Sequence, residues 1–273
     1  MSKKRDEIIK EVEREIEYYA DKTRRQYRAH IGDYLEFVGQ GDWQDRDTVY
    51  RYIEKLRKRG VSQAHINYMV RGPIGCLFRA HGLRAPVKLP RLARLNVRNP
   101  VGAAFELDGV IDLIKAARES GNLQWQVIMV LSTIWGLRAG EIIQLTKQDI
   151  SKKARTIKIL TLKGGVPAEH VVPEQVYPYL AKYDFPPLSE SQLRRIFAGV
   201  NQAAGLQRVR RKAFHAIRHR LVTELGLQDL GELTINSFMR WHTGGTIGSY
   251  FGPEAARNDM KVYPKHPFLK YWG

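Results

Sequence analysis

The sequence is short of several things that would each have suggested a function. It has one cysteine, Cys76, so no disulfide can form within the chain and no cysteine-based zinc site can be built. It has 8 histidines but no His-Glu-x-x-His spacing, and its carboxylates are scattered, which argues against a two-metal nuclease. No Gly-x-x-x-x-Gly-Lys-Ser/Thr loop is present, which removes the usual nucleotide-hydrolysing class. No apolar run approaches the roughly 20 residues that a membrane span requires. The opening stretch, Met1 to Asp6, is polar and no apolar signal region follows it. These absences lead us to expect a cytoplasmic protein without a metal, a cofactor or a membrane partner.

Acid is also scarce, and unevenly so. Across 273 residues, 45 Lys and Arg stand against 28 Asp and Glu, a net charge of +17 with an isoelectric point near 10.0. Residues 1–49 contribute a net −2, whereas residues 50–103 carry 12 basic side chains and one acid, Glu54. So few acids cannot pair with so many cations, and a surface that tracks a polyanion is the favoured reading. The candidates for nucleic-acid contact are Arg51, Lys55, Arg57, Lys58, Arg71, Arg79, Lys88, Arg91 and Arg94. With 43% hydrophobic residues, the chain has enough apolar content to build cores and is no disordered basic tail.

Apolar residues recur every three to four positions in the first 85 residues, as in Ile9, Val12 and Ile16, then Tyr27, Ile31 and Tyr34. Two further helices are expected around Val49–Leu56 and Ile66–Leu77, the last kinked at Gly72-Pro73. Residues 1–85 therefore read as a small helical domain. Residues 86–103 have three prolines, four cations and no clean period, and read as a basic linker. Residues 104–273 resume the helical period, with a buried helix expected over Val127–Trp135. Only Arg155–Leu162 and His170–Val172, around Gly164-Gly165, carry a strand signal. Ser189 and Gln192 form a capping-box pattern. The fold class expected is mainly α with a small β-hairpin or sheet, an α+β arrangement.

Three segments combine chemically capable residues. In Trp135-Gly-Leu-Arg138-Ala-Gly-Glu141, an arginine leaves a turn directly after an apolar helix. In His215-Ala-Ile-Arg218-His219, positions 215 and 218 are spaced to share a helix face. In Trp241-His242-Thr-Gly-Gly-Thr-Ile-Gly-Ser-Tyr250, a His and a Tyr flank a glycine-rich stretch. In this order and spacing the boxes resemble the tyrosine recombinases, the family of phage integrases and Xer-type resolvases. That family's pattern is an Arg in a Gly-Leu-Arg-x-x-Glu box, a Lys in a β-hairpin, His-x-x-Arg-His, a late His or Trp, and a Tyr. The resemblance places these on Arg138, Lys163, His215, Arg218, His242 and Tyr250. It extends to the first domain, where Thr23, Tyr27, Leu35 and Phe37 fit the family's core-binding helices. Two departures stand out: Arg240-Trp241 replaces the usual Leu-Gly, and the gap from His242 to Tyr250 is a residue shorter than the familiar one. Tyr263 and Lys158 are the rival tyrosine and lysine.

The resemblance implies metal-free cleavage and rejoining of double-stranded DNA through a 3′-phosphotyrosyl intermediate. It also implies a clamp of two domains around the duplex and a homotetramer on two recombination sites. Those residue types suit the reaction. A phenol is a weak nucleophile near its free pKa of about 10 and needs a base and nearby cations. Arginine forks match nonbridging phosphate oxygens, and a lysine can protonate the leaving 5′ oxygen. The other readings are a type IB-like topoisomerase, which uses similar chemistry, and an inactive DNA-binding member of the family. An aromatic tail, Tyr263, Phe268, Tyr271 and Trp272, is expected to dock on its own domain or on a neighbouring protomer.

Overall fold

The computed structural model describes residues 2–87, 105–161, 167–207, 213–241 and 255–273. The chain divides into two compact units, Met1–Arg98 and Asn99–Gly273, each with its own apolar core.

Every regular element among the described residues of the first unit is a helix. It comprises α1 (Ser2–Glu15), α2 (Asp21–Val38), α3 (Arg46–Lys58), α4 (Gln63–Met69) and α5 (Gly75–Ala80). Each follows from its sequence: Ile31, Tyr34 and Leu35 bury one stripe of α2, and Val49, Tyr52, Ile53 and Leu56 one stripe of α3. Asp45 caps α3 by accepting from the Thr48 backbone N–H at 2.8 Å, and Ser62 caps α4. The kink expected at Gly72-Pro73 takes the form of a π-helical turn over Val70–Ile74. Proline lacks the N–H an α-helix would use, and a wider turn absorbs that loss. Arg51, Lys55, Arg57, Lys58, Arg71 and Arg79 are all exposed. Arg57 pairs with Glu54 and Arg79 with Glu15. Lys88, Arg91 and Arg94 lie outside the described residues, as does most of the expected linker.

The second unit packs eight α-helices, among its described residues, with one small sheet. Its first three helices are α6 (Leu107–Glu119), α7 (Leu123–Ile134) and α8 (Ala139–Gln144). The sheet follows, with β1 (Ile150–Ser151), β2 (Thr156–Ile159) and β3 (Ala168–Val171). The remaining helices are α9 (Tyr177–Lys182), α10 (Glu190–Ala203), α11 (Ala213–Gly226), α12 (Glu232–Phe238) and α13 (Ala255–Val262). Every residue from Val127 to Ile134 is buried, so α7 is the central helix of this core. The capping box on α10 is present: the Ser189 side chain accepts from Gln192 N–H and Gln192 Oε1 accepts from Ser189 N–H at 2.8 Å.

The sheet differs from the expected hairpin in two ways. It is an antiparallel three-stranded sheet in the order β1-β2-β3, with Ile157 opposite Ile150 on one side and His170 on the other. The strand expected to begin at Arg155 begins at Thr156, because Arg155 adopts a left-handed backbone (φ 49°) that ends the extended run. The tail packs in cis: Phe268, Leu269 and Trp272 are buried in the core of the second unit. The Trp272 indole N–H donates to Thr133 Oγ1 at 3.1 Å, and Arg118 donates to the Tyr271 carbonyl at 2.6 Å. Among the described residues, no helix is long and apolar enough to cross a membrane.

Candidate active site

The end of α7 builds the centre of the site. Gly136 takes a left-handed backbone (φ 58°), the conformation that terminates a helix most readily with glycine. Its space is also full: a Cβ there would meet Met239 Cε at 2.9 Å, Leu221 Cδ2 at 3.2 Å and Arg218 Cγ at 3.3 Å. The chain then passes through Leu137, buried, to Arg138, which caps α8. The backbone N–H of Arg138 donates to Glu141 Oε2 at 2.9 Å, and its Nη1 donates to Glu141 Oε1 at 2.6 Å. Glu141 is buried, while the Arg138 side chain keeps 31% of its surface open. The carboxylate thus holds the arginine from beneath and leaves part of its fork available.

Arg218 reaches the same turn from α11. It is buried; its Nη1 donates to the Gly136 carbonyl at 2.8 Å and its Nη2 to the Met239 carbonyl at 2.6 Å. Its guanidinium carbon lies 5.4 Å from the centre of the Trp241 ring, a cation–π contact. His215, one turn earlier on α11, is exposed. Its Nε2 lies 2.9 Å from Nε2 of His219, so one ring donates and the other accepts. The structure therefore brings Arg138 and Arg218 to a single turn. Lys163, His242 and Tyr250 lie outside the described residues.

A third arginine, unmarked by the sequence boxes, sits behind these two. Arg240 is fully buried and its Nη2 donates to the Trp135 carbonyl at 3.0 Å. The same nitrogen is 3.7 Å from Glu141 Oε2. Burial pushes the Arg218 guanidinium down to about 9, with repulsion from Arg240 and then Arg138 adding to it. Burial pushes Arg240 down to about 10, against the pull of Glu141. Cations so poorly solvated gain from any anion placed between them.

The rivals for two of the boxes have structural employment. The Tyr263 hydroxyl donates to the Val171 carbonyl at 2.5 Å and accepts from the Trp135 indole N–H at 3.0 Å. Burial raises its phenol well above the ordinary value, the wrong direction for a nucleophile. Lys158 sits on the exposed face of β2, opposite Glu169.

The sequence profile of the phage integrase family matches residues 105–256, more than half of the chain. The chain belongs to the phage integrase family. It is a tyrosine-type site-specific DNA recombinase by that membership. The fold agrees. A lambda integrase dimer bound to a COC′ core site superposes with a TM-score of 0.64 at 16% identity, over 92% of this chain and 96% of that one. A lambda integrase tetramer bound to a Holliday junction gives 0.61 at 17% identity, over 92% and 77%. The Tn1549 transposon integrase, in complex with circular intermediate DNA, gives 0.56 at 16% identity, over 93% and 97%. At these identities the likeness is one of fold. No curated relative matches the chain. Within this integrase-family protein, sequence reasoning missed His170, Arg240 and Asp259. A lone buried His in a strand and a lone Arg at a helix end carry no motif. The one available signal was Arg240, which stands where the family usually places an uncharged residue.

Proposed function

We propose that the protein cleaves and rejoins double-stranded DNA at specific sites through a covalent 3′-phosphotyrosyl bond on Tyr250. The observation that carries this reading is the convergence of Arg138 and Arg218 on the Gly136 turn, backed by Arg240. Three guanidinium groups face two buried carboxylates, Glu141 and Asp259. A surplus of poorly solvated positive charge suits a phosphodiester whose charge grows in the transition state.

In this mechanism the Arg138 and Arg218 forks bind the nonbridging oxygens of the scissile phosphate. The Tyr250 oxygen attacks phosphorus as its proton passes to His215. The bond from phosphorus to the 5′ oxygen breaks, and that oxygen takes a proton from Lys163. His242 donates a hydrogen bond to the phosphate. One phosphodiester bond is replaced by one phosphotyrosine bond of similar energy, so a 5′-hydroxyl can reverse the step without ATP. Residues 1–85 and the basic stretch 86–103 would supply the other jaw of a clamp on the duplex. A homotetramer on two sites would exchange strands in pairs.

The test is covalent capture. A pool of nicked suicide duplexes of varied sequence is incubated with the protein and resolved on denaturing gels. The expected outcome is an adduct that survives EDTA and disappears in Tyr250→Phe, with DNA binding retained. An adduct persisting in Tyr250→Phe, or cleavage strictly dependent on Mg²⁺, overturns the reading. Plasmid relaxation without exchange between paired sites would show a topoisomerase instead.

A further inference from the structure

Arg240 touches no reacting atom in the mechanism above, yet its guanidinium is engaged on several sides by buried groups. Its side chain has no exposed surface and its backbone adopts φ 57°, a region that a residue with a Cβ enters only when its surroundings hold it there. Nη2 donates to the Trp135 carbonyl at 3.0 Å, immediately before the Gly136 turn. Nη1 donates to the Phe238 carbonyl and to His170 Nε2, each at 3.3 Å. Among the described residues its Nε has no hydrogen-bond partner. His170, in β3, must then carry its proton on Nδ1, which donates to Asp259 Oδ1 at 2.8 Å. The other oxygen of Asp259 accepts from the Val171 backbone at 2.7 Å. One guanidinium therefore ties together the Gly-Leu-Arg turn, the last strand of the sheet and the turn after α12. It lies two residues before His242 in the sequence.

The charge arrangement is as specific as the hydrogen bonds. Glu141 Oε1 takes the Arg138 Nη1–H at 2.6 Å, and its Oε2 faces Arg240 at 3.7 Å. Alone, a buried carboxylate that close would cancel the Arg138 charge as a bound phosphate sees it. A second guanidinium on the opposite side of the carboxylate divides that negative charge between two partners.

We infer that Arg240 is a positioning residue for phosphoryl transfer: by sharing Glu141 and holding the Trp135 carbonyl just before the Gly136 turn, it keeps the Arg138 fork aimed and its charge available. The inference rests on the reading of Arg138 and Arg218 as the phosphate clamp. A purely structural arginine would make the same contacts, so the test must read charge as well as stability.

The experiment is a cycle of Arg240→Met, Glu141→Gln and the double variant, with Arg240→Lys as the conservative change. Single-turnover adduct formation is measured on the duplex retrieved above, with its ordinary phosphate and with a neutral methylphosphonate at the cleaved position. Arg240→Met should slow adduct formation about 100-fold, the scale expected when a group at the reacting centre is misplaced, with DNA affinity little changed. Arg240→Lys should recover part of the rate. Adding Glu141→Gln to Arg240→Met should raise the rate again, because a neutral amide no longer cancels Arg138. On the methylphosphonate the Arg240→Met penalty should shrink markedly. Equal penalties on the two substrates, or strictly additive effects of the two substitutions, would overturn the inference. The same cycle read by thermal melting needs no catalysis: the double variant should lose less than the sum of the singles, since removing both partners strands no charge. Additive melting losses would overturn it as well. An adduct that survives Tyr250→Phe counts against the functional reading, whereas a Tyr250-dependent adduct at full rate in Arg240→Met counts against Arg240 alone.

Discussion

At the scale of single residues, the site depends on a glycine as well as on its charged groups. Gly136 meets two demands: a positive φ, and a surface against which Met239, Leu221 and Arg218 can all close. Gly136→Ala would strain the backbone and displace side chains that approach to 2.9–3.3 Å, costing on the order of 1–3 kcal/mol. Because its carbonyl is the seat of Arg218 Nη1, the substitution should also slow adduct formation by more than its loss of stability explains. Urea unfolding alongside single-turnover cleavage checks this; a stable, fully active Gly136→Ala protein would refute it. The Gly-Leu-Arg box names all three residues, and its chemistry was legible for that reason. Arg240 was not: an arginine two positions before a histidine reads as a surface charge until the fold encloses it.

At the scale of elements, the C-terminal segment is part of the wall behind the site. His266 Nε2 donates to the Ile134 carbonyl at 2.9 Å, at the very end of α7, and its Nδ1 accepts from Phe268 N–H at 3.2 Å. With both nitrogens occupied and the ring buried, its pKa is pushed down to about 4. The folded state therefore resists a proton that the unfolded state accepts near pH 6.5. Stability from this group is complete above pH 6.5 and is lost as the pH falls toward 4, by up to about 1.4 kcal/mol per unit. His170, lowered mainly by burial, acts in the same direction. Denaturation of the wild type and of His266→Gln at pH 7 and pH 5 should show a flatter pH dependence in the variant. Identical slopes would mean that another group sets the acid sensitivity. The sequence had left the tail free to dock in cis or in trans; Trp272 and Phe268, buried in the core of their own unit, place it in cis.

At the scale of the whole molecule, charge is segregated by sequence segment. The nearly acid-free stretch 50–103 carries 12 cations, and those described on α3, in the π-helical turn and on α5 are exposed. Exposed cations that neutralise phosphates release counterions, so DNA affinity should fall steeply and linearly on a log–log plot against salt. Replacing Lys58 and Arg71 by glutamine should weaken binding to all sequences alike and lower that slope by about one unit each. Gel-shift titrations over a salt series measure this, and an unchanged slope would remove these two residues from the DNA surface.

Part of this protein was written locally. The helical periods, the capping residues and the spacing within each box depend on neighbours three to eight residues away, and the boxes follow one another in a readable order, so the sequence alone marked the fold class, the polyanion partner and the family. Strand limits were less legible, because a two-residue strand such as Ile150–Ser151 has no period and Arg155 delays the start of β2 by its backbone angle. What only the tertiary structure decided spans long separations: Arg218 on Gly136 across 82 residues, Arg240 on Trp135 across 105, and His170 on Asp259 across 89. Nothing near any of those residues announces its partner. Burial turns each pairing into a requirement, since a charge taken out of water must find its counterpart wherever the fold delivers it.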